Sequence, residues 1–180
     1  MMEKFNLRTT QTADKLAAPI LTEFKEKYGI IPNFFAALGI DGASLSGYLD
    51  FEKTIEDFGS LTERQRELIS LSVANYNQCH YCVCGHTFSA KKIGLSSEEC
   101  ADAQQAIADH PLEQAILSLS RAILEKKGNL SQVDIETAMF HGLTESQILQ
   151  VCSWTALNTF SNWVNNITQP KIDFPKVDFA

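Results

Sequence analysis

The stretch from Glu67 to His86, ELISLSVANYNQCHYCVCGH, constrains this chain more than any other, because two helix-forming segments flank the run Asn75-Tyr76-Asn77-Gln78. Asparagine favours caps and turns over helix interiors, since its short side chain competes for backbone hydrogen bonds. A break there predicts that the chain folds back as an αα-hairpin centred between Tyr76 and Asn77. Residues whose numbers sum to 153 then lie side by side, and Glu67 faces His86. On one unbroken helix Glu67 would instead stand roughly 18 Å from Cys79 along the axis, too far for a direct proton relay.

The chemistry of the stretch follows from spacing. Cys79 and Cys82 are three residues apart, so a helix holds them on one face with alpha carbons roughly 5 Å apart, a separation that a disulfide tolerates. They can cycle between dithiol and disulfide with little backbone movement. His86 lies one turn beyond Cys82 on the same face, where an imidazole can take the thiol proton and hold a thiolate. The line Glu67, His86, Cys82, Cys79 therefore reads as a redox centre with its own relay: the acid orients the imidazole, the imidazole activates Cys82, and Cys79 resolves. In the first turn of its helix Cys79 would also feel the positive end of the helix dipole. Without the hairpin, Glu67 is an ordinary solvated carboxylate.

A zinc site is the competing reading, since Cys79, Cys82 and His86 could be joined on paper by Cys84 or His80. Residues 80 and 84 point away from the face shared by the other three, and a structural zinc site normally draws a second ligand pair from a distant segment. The redox reading leads, and no metal or cofactor is expected. Cys84, Cys100 and Cys152 read as small buried hydrophobes. His80 could lend positive charge to the thiols or be an exposed helix-terminal histidine. His110 and His141 precede Pro111 and Gly142 and read as loop or capping residues.

The remainder of the chain repeats one pattern, apolar residues at helical spacing between caps and stops. Asp14 to Tyr28 is a helix ended by Gly29, and Ser44 to Phe58 another ended by Gly59. Thr62 with Gln65, Ser96 with Glu99 and Thr144 with Gln147 form capping boxes. They open helices that run to Asn75, to Ala108 and, through Val164, along a stretch apolar on much of its circumference and hence central or interfacial. Leu112 to Lys127 and Val133 to Phe140 supply two more, and Cys79 to Gly94 is the second arm of the hairpin. The segment IIPNFFAALGI is either a buried helical turn or a surface covered by another subunit. No stretch alternates with period two for long, so the fold class is all-α, a helical bundle of seven or eight helices with a redox αα-hairpin. The tail PKIDFPKVDFA has two prolines and is extended, free to lie against a partner.

A chain of 180 residues suits a single domain, with a core of about 15–165 and an extended tail at 168–180. A net charge of -7 and a pI near 5.1 argue against nucleic acid or an anionic membrane as the main partner. The start, MMEKFNLRTTQTADK, has no apolar leader core, and no apolar run reaches a membrane span. The expected compartment is the cytoplasm, where an odd five cysteines fit catalytic or buried thiols better than a disulfide framework. No Gly-rich phosphate loop or dinucleotide fingerprint is present, so any NAD(P)H would serve a partner reductase.

Glu67, then Cys79-His80-Tyr81-Cys82, His86-Thr87 and Gly94-Leu95-Ser96 together resemble the alkylhydroperoxidase D-like (peroxidase-related) branch of the carboxymuconolactone decarboxylase superfamily. KYGIIPNFFAALG and GLTESQILQVCSWTALNTFSN look like the flanking helices of its members, so the resemblance spans most of residues 15–165. It implies an all-helical subunit assembled as a homotrimer or homohexamer. It further implies a hydroperoxide-reducing dithiol, regenerated by a thiol-bearing partner that in some members is a dihydrolipoyl group. Cys82 would match the attacking thiol, Cys79 the resolving one, and Glu67 and His86 the proton relay. Characterised peroxidases of this type carry histidine immediately before the second cysteine; here that position is Tyr81, with His80 one place earlier, and both are auxiliary candidates.

The sequence thus points to a thiol-dependent peroxidase acting on a small-molecule hydroperoxide. A protein disulfide exchanger or redox sensor would use the same pair, and a non-catalytic helical oligomer or zinc-binding module would need it only structurally.

Overall fold

The computed structural model describes residues 5–180; residues 1–4, on which the reading of the chain start partly rests, lie outside them. Nine α-helices and no strand occur among the described residues: α1 (Ala17–Tyr28), α2 (Asn33–Leu38), α3 (Gly42–Asp57), α4 (Glu63–Tyr76), α5 (His80–Lys92), α6 (Ser97–Gln104), α7 (Pro111–Lys126), α8 (Gln132–Phe140) and α9 (Glu145–Thr168). The all-α class holds. The helix beyond the expected seven or eight is α2, the short aromatic segment, whose Phe34 and Leu38 are buried among α1, α3 and α5 residues of the same chain.

Local chemistry explains the boundaries. The three expected capping boxes form at Thr62, Ser96 and Thr144, and a fourth opens α8 at Ser131 with Asp134 as its reciprocating acid. The first helix begins at Ala17 rather than Asp14, because the Asp14 carboxylate instead accepts the backbone N–H groups of Leu16 and Ala17 at 2.9 and 2.8 Å. It ends at Gly29, in the left-handed conformation at φ 76° that glycine adopts without Cβ strain. The helix opened by Ser96 stops at Gln104, short of Ala108, because the Gln114 side chain takes up the next backbone groups, donating to the Ala106 carbonyl and accepting from the Ala108 N–H.

The bundle is organised around α4, which packs against α5, α6, α7 and α9. Its side chains serve three apolar clusters. Ile69 and Val73 meet Ile116, Leu119, Val151 and Leu157 of α7 and α9. Leu68 and Leu71 meet Ala90, Leu95 and Leu117, and Ala74 meets Leu21, Leu45 and Val83. Each fully buried Leu, Ile or Val contributes about 1.5–3 kcal/mol, so a helix apolar on nearly every side becomes the axis. Two buried serines are tolerated on it in different ways. The Ser70 hydroxyl donates to the Arg66 carbonyl and accepts from Trp154 Nε1 on α9; Ser72 points into the core.

Residues 169–180 are extended, as expected, and lie across α5 of their own chain. Phe174 seats against Gly85, where an added Cβ would come within 3.2 Å of its ring. Among the described residues no helix is long and apolar enough to cross a membrane.

Candidate redox site

The hairpin forms where the asparagines predict it. The first arm ends at Tyr76, Gln78 takes a positive φ of 52°, and the Cys79 N–H donates to the Ala74 carbonyl at 2.9 Å. Asparagines of α9 hold the turn: Asn77 Nδ2 donates to Asn162 Oδ1 at 3.1 Å, and Asn166 Nδ2 to the Asn77 carbonyl at 2.8 Å. Cys79 is the N-cap of α5 rather than a first-turn residue, and its Sγ accepts the Cys82 N–H at 3.2 Å. Cys79 and Cys82 are joined in a disulfide with alpha carbons 5.2 Å apart, the separation that their spacing implies.

Across the hairpin, His86 Nδ1 and Glu67 Oε2 are 3.0 Å apart. Burial opposes the imidazolium of His86, but the paired Glu67 carboxylate, the charge of Glu52 and the Asn158 side chain outweigh it and hold its pKa above the ordinary histidine value. His86 and Glu67 both line a cavity of about 260 Å³ that also exposes Cys82. Cys79 is fully buried and does not reach that cavity. The two sulfurs are thus unequal: an incoming molecule meets Cys82 first.

Of the expected auxiliary groups, Tyr81 lines the cavity and also bonds to the tail, whereas His80 bonds to the tail. Tyr81 Oη donates to Asp173 Oδ2 at 2.7 Å and accepts the Phe34 N–H at 3.1 Å. Burial and the neighbouring Asp173 push its phenol pKa up, so it stays protonated. His80 Nε2 lies 2.7 Å from the Val177 carbonyl, which makes it neither an exposed terminal residue nor a neighbour engaged with the thiols. Cys84 is buried, as expected, and its Sγ accepts the Val177 N–H at 3.4 Å. Cys100 is buried too, burial raising its thiol pKa. Cys152 is exposed, a correction to its reading as a core residue: it falls on the outer face of α9.

Sequence reasoning missed three polar groups of the cavity. Asn165 Nδ2 donates to Cys82 Sγ at 3.3 Å. Its signal was available, because Asn158, Asn162 and Asn165 recur at helical spacing along an otherwise apolar helix and all three are buried. Tyr48 Oη donates to Glu52 Oε1 at 3.1 Å, and both side chains line the cavity from α3. Nothing local distinguishes that pair from any i,i+4 contact on a helix surface. Among the described residues no three His, Cys, Asp or Glu side chains cluster so as to hold a metal ion.

Comparison with known proteins agrees with the all-helical fold. The profile of the carboxymuconolactone decarboxylase family matches residues 45–111, which contain the whole hairpin. Protein 4 in the cox locus of Paracoccus denitrificans is 30% identical over 97 residues, 52% of this chain and 87% of that protein. Among solved structures, a peroxidase-related protein from Ralstonia eutropha with an alkylhydroperoxidase AhpD core superposes with a TM-score of 0.82 at 21% identity, covering 94% of this chain and 92% of the other. A peroxidase-related protein from Silicibacter gives 0.76 at 19% identity over 90% of each chain. The debrominase Bmp8, in complex with 2,3,4-tribromopyrrole, gives 0.75 at 16% identity, covering 96% of this chain and 93% of the other.

Proposed function

The chain belongs to the carboxymuconolactone decarboxylase family, and we propose that it falls in its alkylhydroperoxidase D-like branch as a thiol-dependent hydroperoxidase working through Cys79 and Cys82. The observation that carries this reading is the His86–Glu67 contact of 3.0 Å in a cavity that admits a small molecule to Cys82 while Cys79 stays buried behind it.

In the reduced protein His86 takes the Cys82 proton, Glu67 stabilises the imidazolium, and Asn165 donates to the thiolate sulfur. The thiolate attacks the outer oxygen of a hydroperoxide; the O–O bond breaks, the sulfur becomes a sulfenic acid and an alcohol leaves. Cys79 then displaces the sulfenic hydroxyl as water and forms the disulfide, with little backbone movement because 5.2 Å already separates the alpha carbons. An external dithiol of the dihydrolipoyl type, or another thiol-bearing protein of the cytoplasm, would reopen the bond by exchange. No cofactor or metal enters this cycle.

Assembly as a homotrimer or homohexamer accords with the outer face of α9. Leu149, Trp163 and Ile167 are exposed there, and no charged residue occurs between Glu145 and Lys171.

The test is consumption of tert-butyl hydroperoxide in the presence of dihydrolipoamide and its reductase. Cys82→Ser is expected to abolish turnover. Cys79→Ser is expected to allow one equivalent and then stop, with a dimedone-trappable sulfenic acid at Cys82. Turnover that persists in Cys82→Ser would refute the reading, as would a wild-type preference for a protein disulfide or for 2,3,4-tribromopyrrole over every hydroperoxide tried.

A further inference from the structure

The cycle just described leaves the half-buried Glu52 carboxyl of the cavity unused. Glu52 lines the Cys82 cavity beside His86, and it also lines an outer groove of about 900 Å³ bounded by α1, α3 and α5. Its carboxyl therefore stands where the inner cavity meets the groove. Tyr48 Oη donates to it at 3.1 Å, and Tyr48 is itself fixed by packing, its ring edge-on to Phe34 at 5.3 Å and stacked on Phe160 at 6.1 Å. We propose that Glu52, positioned by Tyr48, is the general acid that protonates the oxygen leaving from a hydroperoxide attacked by Cys82. This rests on the hydroperoxidase reading and assigns a residue to a step which that reading leaves open.

The step needs such a group. An alkoxide expelled into a cavity of low polarity is a poor leaving group, and a proton supplied as the O–O bond breaks removes the cost of its charge. His86 has just received the Cys82 proton and is held as imidazolium by Glu67, whose attraction opposes giving it up again. Glu52 has the opposite environment. Burial raises its pKa; the Tyr48 hydrogen bond and His86 lower it, while Glu56 and Glu67 raise it further, and the net shift is upward. The groups facing it are Tyr48 and Glu56 on its own helix, Glu67 from α4 and His86 from α5. Glu23 and Lys27 of α1, with Lys53 and Lys92, line the groove outside, Lys53 engaged with Asp57 at 2.6 Å and Lys92 over the Phe88 ring. Glu56 is held at 2.8 Å by Arg66. Two carboxylates in one cavity with separated tasks, one paired with a histidine and one whose pKa burial raises, match the general pattern by which a single site runs acid and base chemistry together.

Atoms and electrons balance. Cys82–S⁻ attacks R–O–OH, the S–O bond forms, the O–O bond breaks, and RO⁻ takes the Glu52 proton to leave as ROH; sulfur is oxidised and the peroxide reduced. Cys79–SH then forms the S–S bond and gives its proton to the hydroxide displaced from Cys82, which leaves as water; Glu52 regains a proton from solvent through the groove, and His86 gives its own up to solvent once the thiolate is gone. The site returns to its starting protonation with the disulfide closed.

A leaving-group comparison isolates the role. Peracetic acid expels acetate, which needs no proton, whereas tert-butyl hydroperoxide expels an alkoxide that does. At pH 7 Glu52→Gln is expected to slow reduction of tert-butyl hydroperoxide by about 100-fold while reduction of peracetic acid changes by less than about threefold. The rate of Cys82 alkylation by iodoacetamide should be unchanged. Wild-type activity toward the hydroperoxide should fall on the alkaline side as Glu52 loses its proton, and Glu52→Gln should lack that limb. Tyr48→Phe, which removes a hydrogen bond favouring the ionised carboxylate, should move the limb to higher pH and keep the fold readable if the glutamine variant unfolds. Equal loss toward both oxidants, or no loss, overturns the assignment of Glu52 and leaves the hydroperoxidase reading intact. A wild-type protein that reduces neither oxidant overturns both.

Discussion

At the scale of single residues the site depends on the company each group keeps. Cys79 and Cys82 are chemically identical, yet one is sealed in the core and the other meets a cavity, a histidine and an amide donor. The Asn165 amide touches the sulfur proposed to react. A hydrogen bond to a charged group is worth about 1.5–3 kcal/mol. We therefore expect Asn165→Leu to slow alkylation of reduced Cys82 at neutral pH by about tenfold or more, measured with iodoacetamide and mass spectrometry. An unchanged alkylation rate would mean that the sulfur does not need the amide. The cysteine pair, His86 and Glu67 were legible because their spacing has a chemical meaning. Tyr48 and Glu52 were not, because their meaning depends on which distant helix they face; Asn165 left only the helical recurrence of asparagines on an apolar helix as its signal.

At the scale of elements, the tail changes how α5 is understood. His80, Tyr81 and Cys84 flank the reactive cysteine in sequence, and all three engage residues 173–177. Asp173 carries the largest share of the anchoring. Its carboxylate accepts the Tyr81 hydroxyl, the Asn33 N–H and the Asn33 side-chain amide, each at 2.7 Å. Asp173→Ala is expected to release the tail and raise the rate of tryptic cleavage after Lys171 and Lys176 several-fold, read by intact-mass analysis. Because Phe174 walls both the inner cavity and the outer groove, the same variant should admit bulkier thiol reagents to Cys82. Cleavage at the wild-type rate would show that the apolar seat of Phe174 on Gly85 holds the tail unaided. The hairpin itself needed no such discovery, since two asparagines mark its break on the page.

At the scale of the whole molecule, the nine helices of the described residues are arranged so that α4 packs against α5, α6, α7 and α9 while one face of α9 is left bare. Leu149, Cys152, Trp163 and Ile167 recur along that face at helical spacing, and all are exposed. A stripe of this kind is costly in a monomer and is covered when copies associate. If the proposed homo-oligomer uses it, Trp163→Glu should dissociate the assembly to monomer in light-scattering chromatography, with peroxide turnover per subunit kept to within a few-fold because the cavity lies on the far side of Asn165. An assembly that survives Trp163→Glu would place the contact elsewhere.

Amino-acid order alone carried the local decisions: helical period, capping boxes, the break at Asn75 to Gln78, and the register that sets Glu67 opposite His86. These are legible because the physics behind them acts over one or two turns. The folded chain decided what depends on contacts between distant segments. It decided that α2 is a buried helix, that Cys82 rather than Cys79 opens to the cavity, that Tyr81 and His80 serve the tail, and that Glu52 on α3 shares a chamber with His86 on α5. No periodicity encodes those outcomes, because each is set by which side chains compete for the same volume and the same hydrogen-bond donors once nine helices have packed.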